Sequence, residues 1–381
     1  MQTLIPSAHL ELDQKIARVQ AVLRASGIGT LAVYYGGQHN ASRLDPVFWL
    51  TDFRVLGPAM VLIPASGQAQ LLVTQTWDAE RARETGTSAT VFASHKHELI
   101  SDAVRNLLEL PQPLALSGRA AMPIAVYEEL QSRLALDPLA GDDIIPPLAA
   151  TRMPSELARV ERAGQIADEG FRAVCELAQV GMREYELAAE VDATMIAAGA
   201  EDNFGLIGAG ASNVTIRPPT DRRLERGDVV MCEITPCYRG YLAQLCRTFV
   251  LGTPTADQLR VYELLMAAER AGLAAALPGN PTAAIAKDIN AVISKAGYEE
   301  YCKPPYMRSR GHGLGTGGVA PLDINESSKH VLERNMTMVI HPNQFVPETG
   351  YMMCGDMVVI EDGGPRLLTQ TPLRLFWAEQ G

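Results

Sequence analysis

No run of about 18 uncharged apolar residues occurs in this chain, so no membrane-crossing helix is expected. There is no CxxC pair either. The six cysteines, Cys175, Cys232, Cys237, Cys246, Cys302 and Cys354, all lie in the C-terminal half, which suits reduced thiols better than a disulfide framework. The opening Met1-Gln2-Thr3-Leu4-Ile5-Pro6 has no basic segment leading into an apolar run, so no signal peptide is expected. A cytoplasmic location follows from these two readings. Positive charge is short: 33 Lys and Arg face 44 Asp and Glu, for a net charge of −11. That balance argues against nucleic acid, which selects a basic face. Low-complexity tracts and short repeats are absent. Gly36-Gly37 and the glycines of 313–318 sit in neither a GxxxxGK[ST] nor a GxGxxG context, so phosphate cradles are not expected.

What remains describes a globular protein of 381 residues, 47% hydrophobic, more than one core usually holds. Two domains are expected, 1–150 and 151–381, in an α/β (α+β) architecture. In the first, Leu10, Leu12, Ile16, Val19 and Leu23 recur at helical spacing and stop at Gly27. Leu31–Tyr35 reads as a buried strand, and Ala59–Ile63 with Ala69–Val73 as a hairpin around Pro64-Ala65-Ser66-Gly67. Thr90–Phe92 is a further strand, with helices around 97–109 and 123–135. Asp142-Asp143 and Pro146-Pro147 mark the boundary. Beyond it, Leu157, Val160, Gly164, Ala167, Phe171, Val174 and Ala178 form one apolar helical stripe from Pro154 to Gly181. Further helices are expected over 184–198, 255–276 and 281–296.

Three segments carry the chemistry. Val229-Val230-Met231-Cys232-Glu233-Ile234 is a strand that turns through Thr235–Gly240 into a second, Tyr241–Phe249. A glycine-rich turn, Gly311-His312-Gly313-Leu314-Gly315, precedes the strand Met336–Pro342 with His341 near its end. The period of two puts Glu233 and Thr235 on one face, and Leu242, Gln244, Cys246 and Thr248 together, with Cys232 pointing away.

In order and spacing these segments resemble the creatinase/prolidase/methionine aminopeptidase family, whose C-terminal half has the pita-bread fold. The resemblance implies a hydrolase. It places the five ligands of the family's two metal ions, two Asp, one His and two Glu, at Glu233, Gln244, His312, His341 and Gly355. Gln244 cannot ionise and Gly355 offers no ligand, so a dinuclear centre, which needs carboxylates to offset its charge, is not expected. The resemblance also implies that the creatinase histidine falls on Ile216, so that base is missing too.

The expectation is therefore a cofactor-free hydrolase acting on a C–N bond of a small polar metabolite. His312, His341 and Glu233 are the acid/base group, and the histidine pair carries the proton transfers. The alternative is one divalent metal ion on Glu233, His312 and His341, as a mononuclear hydrolase or an Xaa-Pro-dipeptidase-like enzyme. A second alternative is a catalytically inactive binding protein on the same fold. Gln244, Thr235, Cys246 and Arg217 are candidate substrate-binding residues. The resemblance further implies a homodimer whose N-terminal domain closes the partner's pocket. Trp49 and Arg54, in the aromatic segment Asp45–Arg54, are its candidate contributions to the substrate rim. No membrane or nucleic-acid partner is expected.

Overall fold

The computed structural model describes residues 6–39, 41–95, 98–134, 136–137, 141–319 and 323–378. Met1–Ile5 and the expected helix limits at residues 97 and 135 lie outside them. The chain divides into two compact units, Met1–Ala149 and Ala150–Gly381.

In the first unit, α1 (Pro6–Ser26) leads to β1 (Thr30–Tyr35), α2 (Pro46–Thr51), β2 (Ala59–Pro64) and β3 (Gln70–Val73). There follow α3 (Thr76–Glu84), β4 (Thr90–Ala93), α4 (Leu99–Leu108), β5 (Leu114–Ser117), α5 (Ile124–Arg133) and β6 (Leu136–Asp137). The six strands form one mixed sheet in the order β4-β3-β2-β1-β5-β6. Alternate residues of β1 feed two cores. Leu31 and Val33 pack with Ile16, Val19 and Leu23 of α1, while Ala32 and Tyr34 pack with Leu99, Ala103 and Leu107 of α4. Burial on both faces explains why these strands read as continuous apolar runs. α6 (Ile145–Ala150) contains the Pro146-Pro147 pair expected to mark a linker. Both prolines fall within the first turn, where their missing N–H groups have no helical acceptor to serve.

In the second unit, α7 (Pro154–Leu177) buries Val160, Gly164, Ala167, Phe171 and Val174 along one stripe. Pro154 occupies its first turn, and the Glu156 carboxylate accepts from the Met153 N–H at 2.7 Å. α8 (Glu184–Ala197) precedes β7 (Asp202–Asn203), β8 (Leu206–Gly210), β9 (Val229–Ile234), β10 (Pro236–Tyr238), β11 (Tyr241–Leu242) and β12 (Leu245–Val250). α9 (Ala256–Ala275) and α10 (Thr282–Ile293) lead to β13 (Gly311–Gly315), β14 (Gly317–Val319) and β15 (Thr337–Ile340). The hairpin β16 (Gln344–Val346) and β17 (Gly350–Met352), then β18 (Asp356–Glu361), β19 (Gly364–Leu367) and β20 (Phe376–Trp377), complete it. The two larger sheets are β20-β12-β9-β8 and β14-β13-β15-β18-β19, beside the small sheet β11-β10-β7 and the β16-β17 pair. Val230, Cys232 and Ile234 of β9 pack toward α7 and α8; Val229 and Met231 join the core shared by α9, α10, β15 and β18.

Several local expectations change. β8, which the sequence patterns did not single out, pairs with β9 from Leu206↔Glu233 to Gly210↔Val229. The single strand expected over 241–249 is two, interrupted at Ala243-Gln244, because β11 pairs with β10 and β12 with β9. His312 lies in a strand, not a turn. Glycine is needed there for close approach. At Gly311, with φ 144°, a Cβ would meet the Val339 carbonyl, and at Gly315 it would stand 2.5 Å from the Arg152 guanidinium carbon.

Candidate functional site

Along β9, β13, β16 and β17 every residue but one is buried. Glu233 is the one residue of β9 that reaches solvent, His312 the one of β13, Phe345 the one of β16 and Tyr351 the one of β17. His341, just past β15, is also half-buried. Pairing brings these positions into one neighbourhood, the candidate recess of the site. Glu233 lies opposite Cys246, Cys246 bridges to Gly355, and Gly355 packs against His341. The His312 and His341 rings are edge to face with centroids 5.7 Å apart. Tyr351 feels the charge of Glu233 and of Cys246.

Each group's protonation follows from that enclosure. Burial alone pushes the Glu233 carboxyl up to about 7. His341 is held down to about 3, first by burial and then by His312 and Arg310. Burial also lowers His312, against the contact of Nδ1 with the Gly313 carbonyl at 3.3 Å. A carbonyl only accepts, so His312 Nδ1 carries the hydrogen and Nε2 presents a lone pair. His341 Nδ1 is buried and finds no hydrogen-bond partner among the described residues. The Cys246 thiol is pushed well up, by burial and then by Glu233; Gln244 Nε2 donates to its Sγ at 3.5 Å. The Thr235 hydroxyl donates to Gln244 Oε1 at 3.3 Å. Thr235, Gln244 and Cys246 thus form a buried polar layer beside Glu233.

Three supports were not singled out by sequence. Arg310, immediately before the Gly-His-Gly segment, donates to Asn290 Oδ1, the Asn343 carbonyl and Gln344 Oε1 at 2.7, 3.0 and 2.9 Å. Asn343 Oδ1 accepts from the Cys354 N–H at 2.9 Å. Tyr351 stands on the recess face itself. Their signal was proximity in the chain to His312 and His341.

Other candidates lie elsewhere. Arg217 donates to the buried Glu184 carboxylate at 3.0 Å, beside the Thr220 hydroxyl at 2.6 Å. It anchors the segment after β8, and that is its observed role. Ile216 packs against the α9–α10 core. The segment 45–54 is a short helix rather than a rim loop: Asp45 Oδ1 accepts from Phe48 N–H at 2.8 Å, and Phe48, Trp49 and Phe53 are all buried in the first unit. Trp49, wholly buried, is a core residue and cannot touch substrate. Arg54 is half-buried near Tyr35, opposing the upward push that burial and Asp45 give its hydroxyl.

The donor set is poor in negative charge for a metal centre. One carboxylate, Glu233, accompanies two neutral imidazoles and an amide. A Cβ at 355 would lie 2.8 Å from the His341 Cα and from the Ile340 carbonyl oxygen, so no carboxylate fits there. Among the described residues no group of three or more His, Cys, Asp or Glu is arranged to hold a metal ion. These residues do not fit a dinuclear centre, with its two ions and bridging carboxylates.

Two sheets flanked by paired helices, with ionisable groups at the foot of one recess, define the pita-bread class. The chain belongs to metallopeptidase family M24, whose model matches residues 158–362. An Xaa-Pro dipeptidase of Pyrococcus furiosus is 31% identical over 238 residues, 62% of this chain and 67% of that protein. One from Pyrococcus horikoshii is 28% identical over 77% of this chain and 87% of its own length. Among solved structures, an Xaa-Pro dipeptidase from Bacillus anthracis superposes with a TM-score of 0.85 at 21% identity, covering 96% of this chain and all of that one. This last likeness shows the fold. No helix of the described residues is long and apolar enough to cross a membrane.

Proposed function

We propose that the chain is an Xaa-Pro-dipeptidase-like hydrolase that cleaves the amide C–N bond of a small dipeptide in the recess of Glu233, His312 and His341. The observation that carries this is the backbone chain from Glu233 through Cys246 and Gly355 to His341, whose ring meets His312, with burial raising the Glu233 carboxyl to about 7 and lowering both imidazoles. The likeness to Xaa-Pro dipeptidases supports a peptide bond as the substrate over other C–N linkages. It displaces the expected creatinase-like reaction.

Proton work passes from the histidine pair to Glu233. A group held down to about 3, as His341 is, does not carry a proton at neutral pH. Glu233 titrating near 7 can do both halves. As carboxylate it takes a proton from the water adding to the scissile carbonyl, and as acid it delivers that proton to the departing nitrogen. His312 Nε2 and His341 Nδ1 accept hydrogen bonds and orient water and substrate. The product pair is a free amino acid and free proline.

The test is proline release from a panel of Xaa-Pro dipeptides, with Glu233→Gln as the inactive control. It is run after exhaustive chelation and again with added manganese, cobalt or zinc. No release under any condition removes the reading.

A second reading, one divalent ion on Glu233, His312 and His341, is favoured by the unpartnered Nδ1 of His341, and it requires the three side chains, which are not arranged around one point in this structure, to close on the ion. Such an ion would polarise the carbonyl as a Lewis acid. One tightly held ion per chain by elemental analysis, lost with activity on chelation, supports it. Homodimer assembly belongs to the same proposal. Sedimentation at twice 41.2 kDa supports it, and a fully active monomer removes it.

A further inference from the structure

Across the hairpin from Tyr351 lies a group of rings that the proposed reaction does not use. Phe345 and Tyr351 are cross-strand partners in the β16–β17 hairpin, so their side chains leave the same face. The opposite face turns Val346 and Met352 into the core and Gln344 to Arg310. Tyr306 stacks on Phe345 with centroids 5.3 Å apart and planes 13° from parallel; Tyr301 meets Tyr306 edge-on at 5.0 Å and Phe345 at 5.6 Å.

A sealed satellite core would bury these rings. Instead Tyr306 is 40% exposed, and Phe345 and Tyr301 are half-buried. We propose that Tyr301, Tyr306 and Phe345 form a subsite for an apolar, ring-bearing side chain of the substrate, one cross-strand step from Tyr351. Tyr351 itself feels the Glu233 charge. The inference rests on the reading of the recess as a dipeptide site and names the side chain it prefers.

Local charge selects a neutral ring over a cation. The Glu299 carboxylate is engaged by Lys303 at 3.0 Å. Glu348 accepts from the Tyr298 hydroxyl at 2.8 Å and lies 3.6 Å from Arg260. Glu300 is exposed to solvent. With two of the three carboxylates already answered by cations, an apolar ring gains area and edge-to-face contact at small electrostatic cost.

The experiment has a binding arm and a hydrolysis arm. N-acetyl-phenylalaninamide and N-acetyl-alaninamide, which contain no Xaa-Pro bond, are titrated calorimetrically into the wild type, Tyr306→Ala and Tyr185→Ala. Tyr185 is exposed in α8 and serves as the control. The wild type is expected to bind the phenyl probe about fivefold more tightly, the scale of one aromatic contact. Tyr306→Ala should erase the difference and Tyr185→Ala should keep it. Equal binding of the two probes by the wild type overturns the subsite, and so does selectivity that survives Tyr306→Ala. Hydrolysis of Phe-Pro and Gly-Pro is read separately. Ring selectivity without proline release overturns the proposed reaction and leaves the subsite standing.

Discussion

The backbone at Gly355 lies so close to His341 that a Cβ on residue 355 would sit 2.8 Å from the His341 Cα, and closer still to its Cβ. Glycine and histidine at these two positions are therefore one adaptation. The segment just before β18 that carries Gly355 presses against His341, fixing its place and removing a ligand position in the same move. Gly355→Ala should destabilise the protein by about 1–3 kcal/mol, the usual cost of overpacking, and lower activity together with stability. Thermal unfolding of the variant checks this. An unchanged midpoint would show that the close approach relaxes freely.

Glu233 ties stability to pH. Its folded value of about 7 lies above the ordinary 4.5, so between those values the folded state binds more protons than the unfolded one. Stability from this group is complete below about 4.5 and is lost as pH rises through about 7. The swing is on the order of 1–3 kcal/mol. Chemical unfolding of wild type and Glu233→Gln between pH 5 and 8 measures it. The variant should lose less stability toward pH 8, and parallel curves would contradict the shifted carboxyl.

His341 acts with the opposite sign. Its folded value of about 3 lies below the ordinary 6.5, so acidification through 6.5 protonates the unfolded state first and the folded protein loses stability. His341→Gln should flatten the curve below pH 6.5. An acid limb that persists unchanged assigns the effect to other groups.

For catalysis, His312→Ala and His341→Ala, which lose groups that orient water and substrate, should each lower kcat about 10²-fold while the circular dichroism spectrum stays native. Full turnover by either variant would remove that imidazole from the reaction.

Cys246 provides the contrast. Burial and the Glu233 charge raise its thiol well above the ordinary range, which leaves little thiolate for nucleophilic attack. Cys246→Ser should change kcat less than tenfold. A complete loss would reinstate the thiol as nucleophile.

The scaffold was legible because its signals are local. The apolar stripe of α7 and the continuous runs of β1, β2 and β9 follow from side-chain period and burial. So does the opposition of Cys232 and Cys246. The misreadings came from what lies across the chain. A glycine-rich segment looks like a turn until the Val339 carbonyl and the Arg152 guanidinium are seen to demand glycine in a strand. Arg217 looked free to bind an anion because its partner, Glu184, lies 33 residues away. Trp49 and Phe53 had the composition of an interface and the packing of a core, and composition does not distinguish the two. The raised Glu233 carboxyl, on which the proposed proton transfers rest, depends on enclosure, which no spacing reports.

The alternation of buried and part-exposed residues along β9, β13, β16 and β17 bears on how this protein can vary. Each strand surrenders a single position to the recess and commits the rest to the core, so the chemistry is written on a handful of replaceable side chains in a frame that tolerates little change. A saturation library would then be expected to split sharply. Substitutions at Glu233, His312, Phe345 and Tyr351 should alter what is turned over while the protein still accumulates in the cell. Substitutions at their strand neighbours should deplete the protein itself before any change of specificity could be seen.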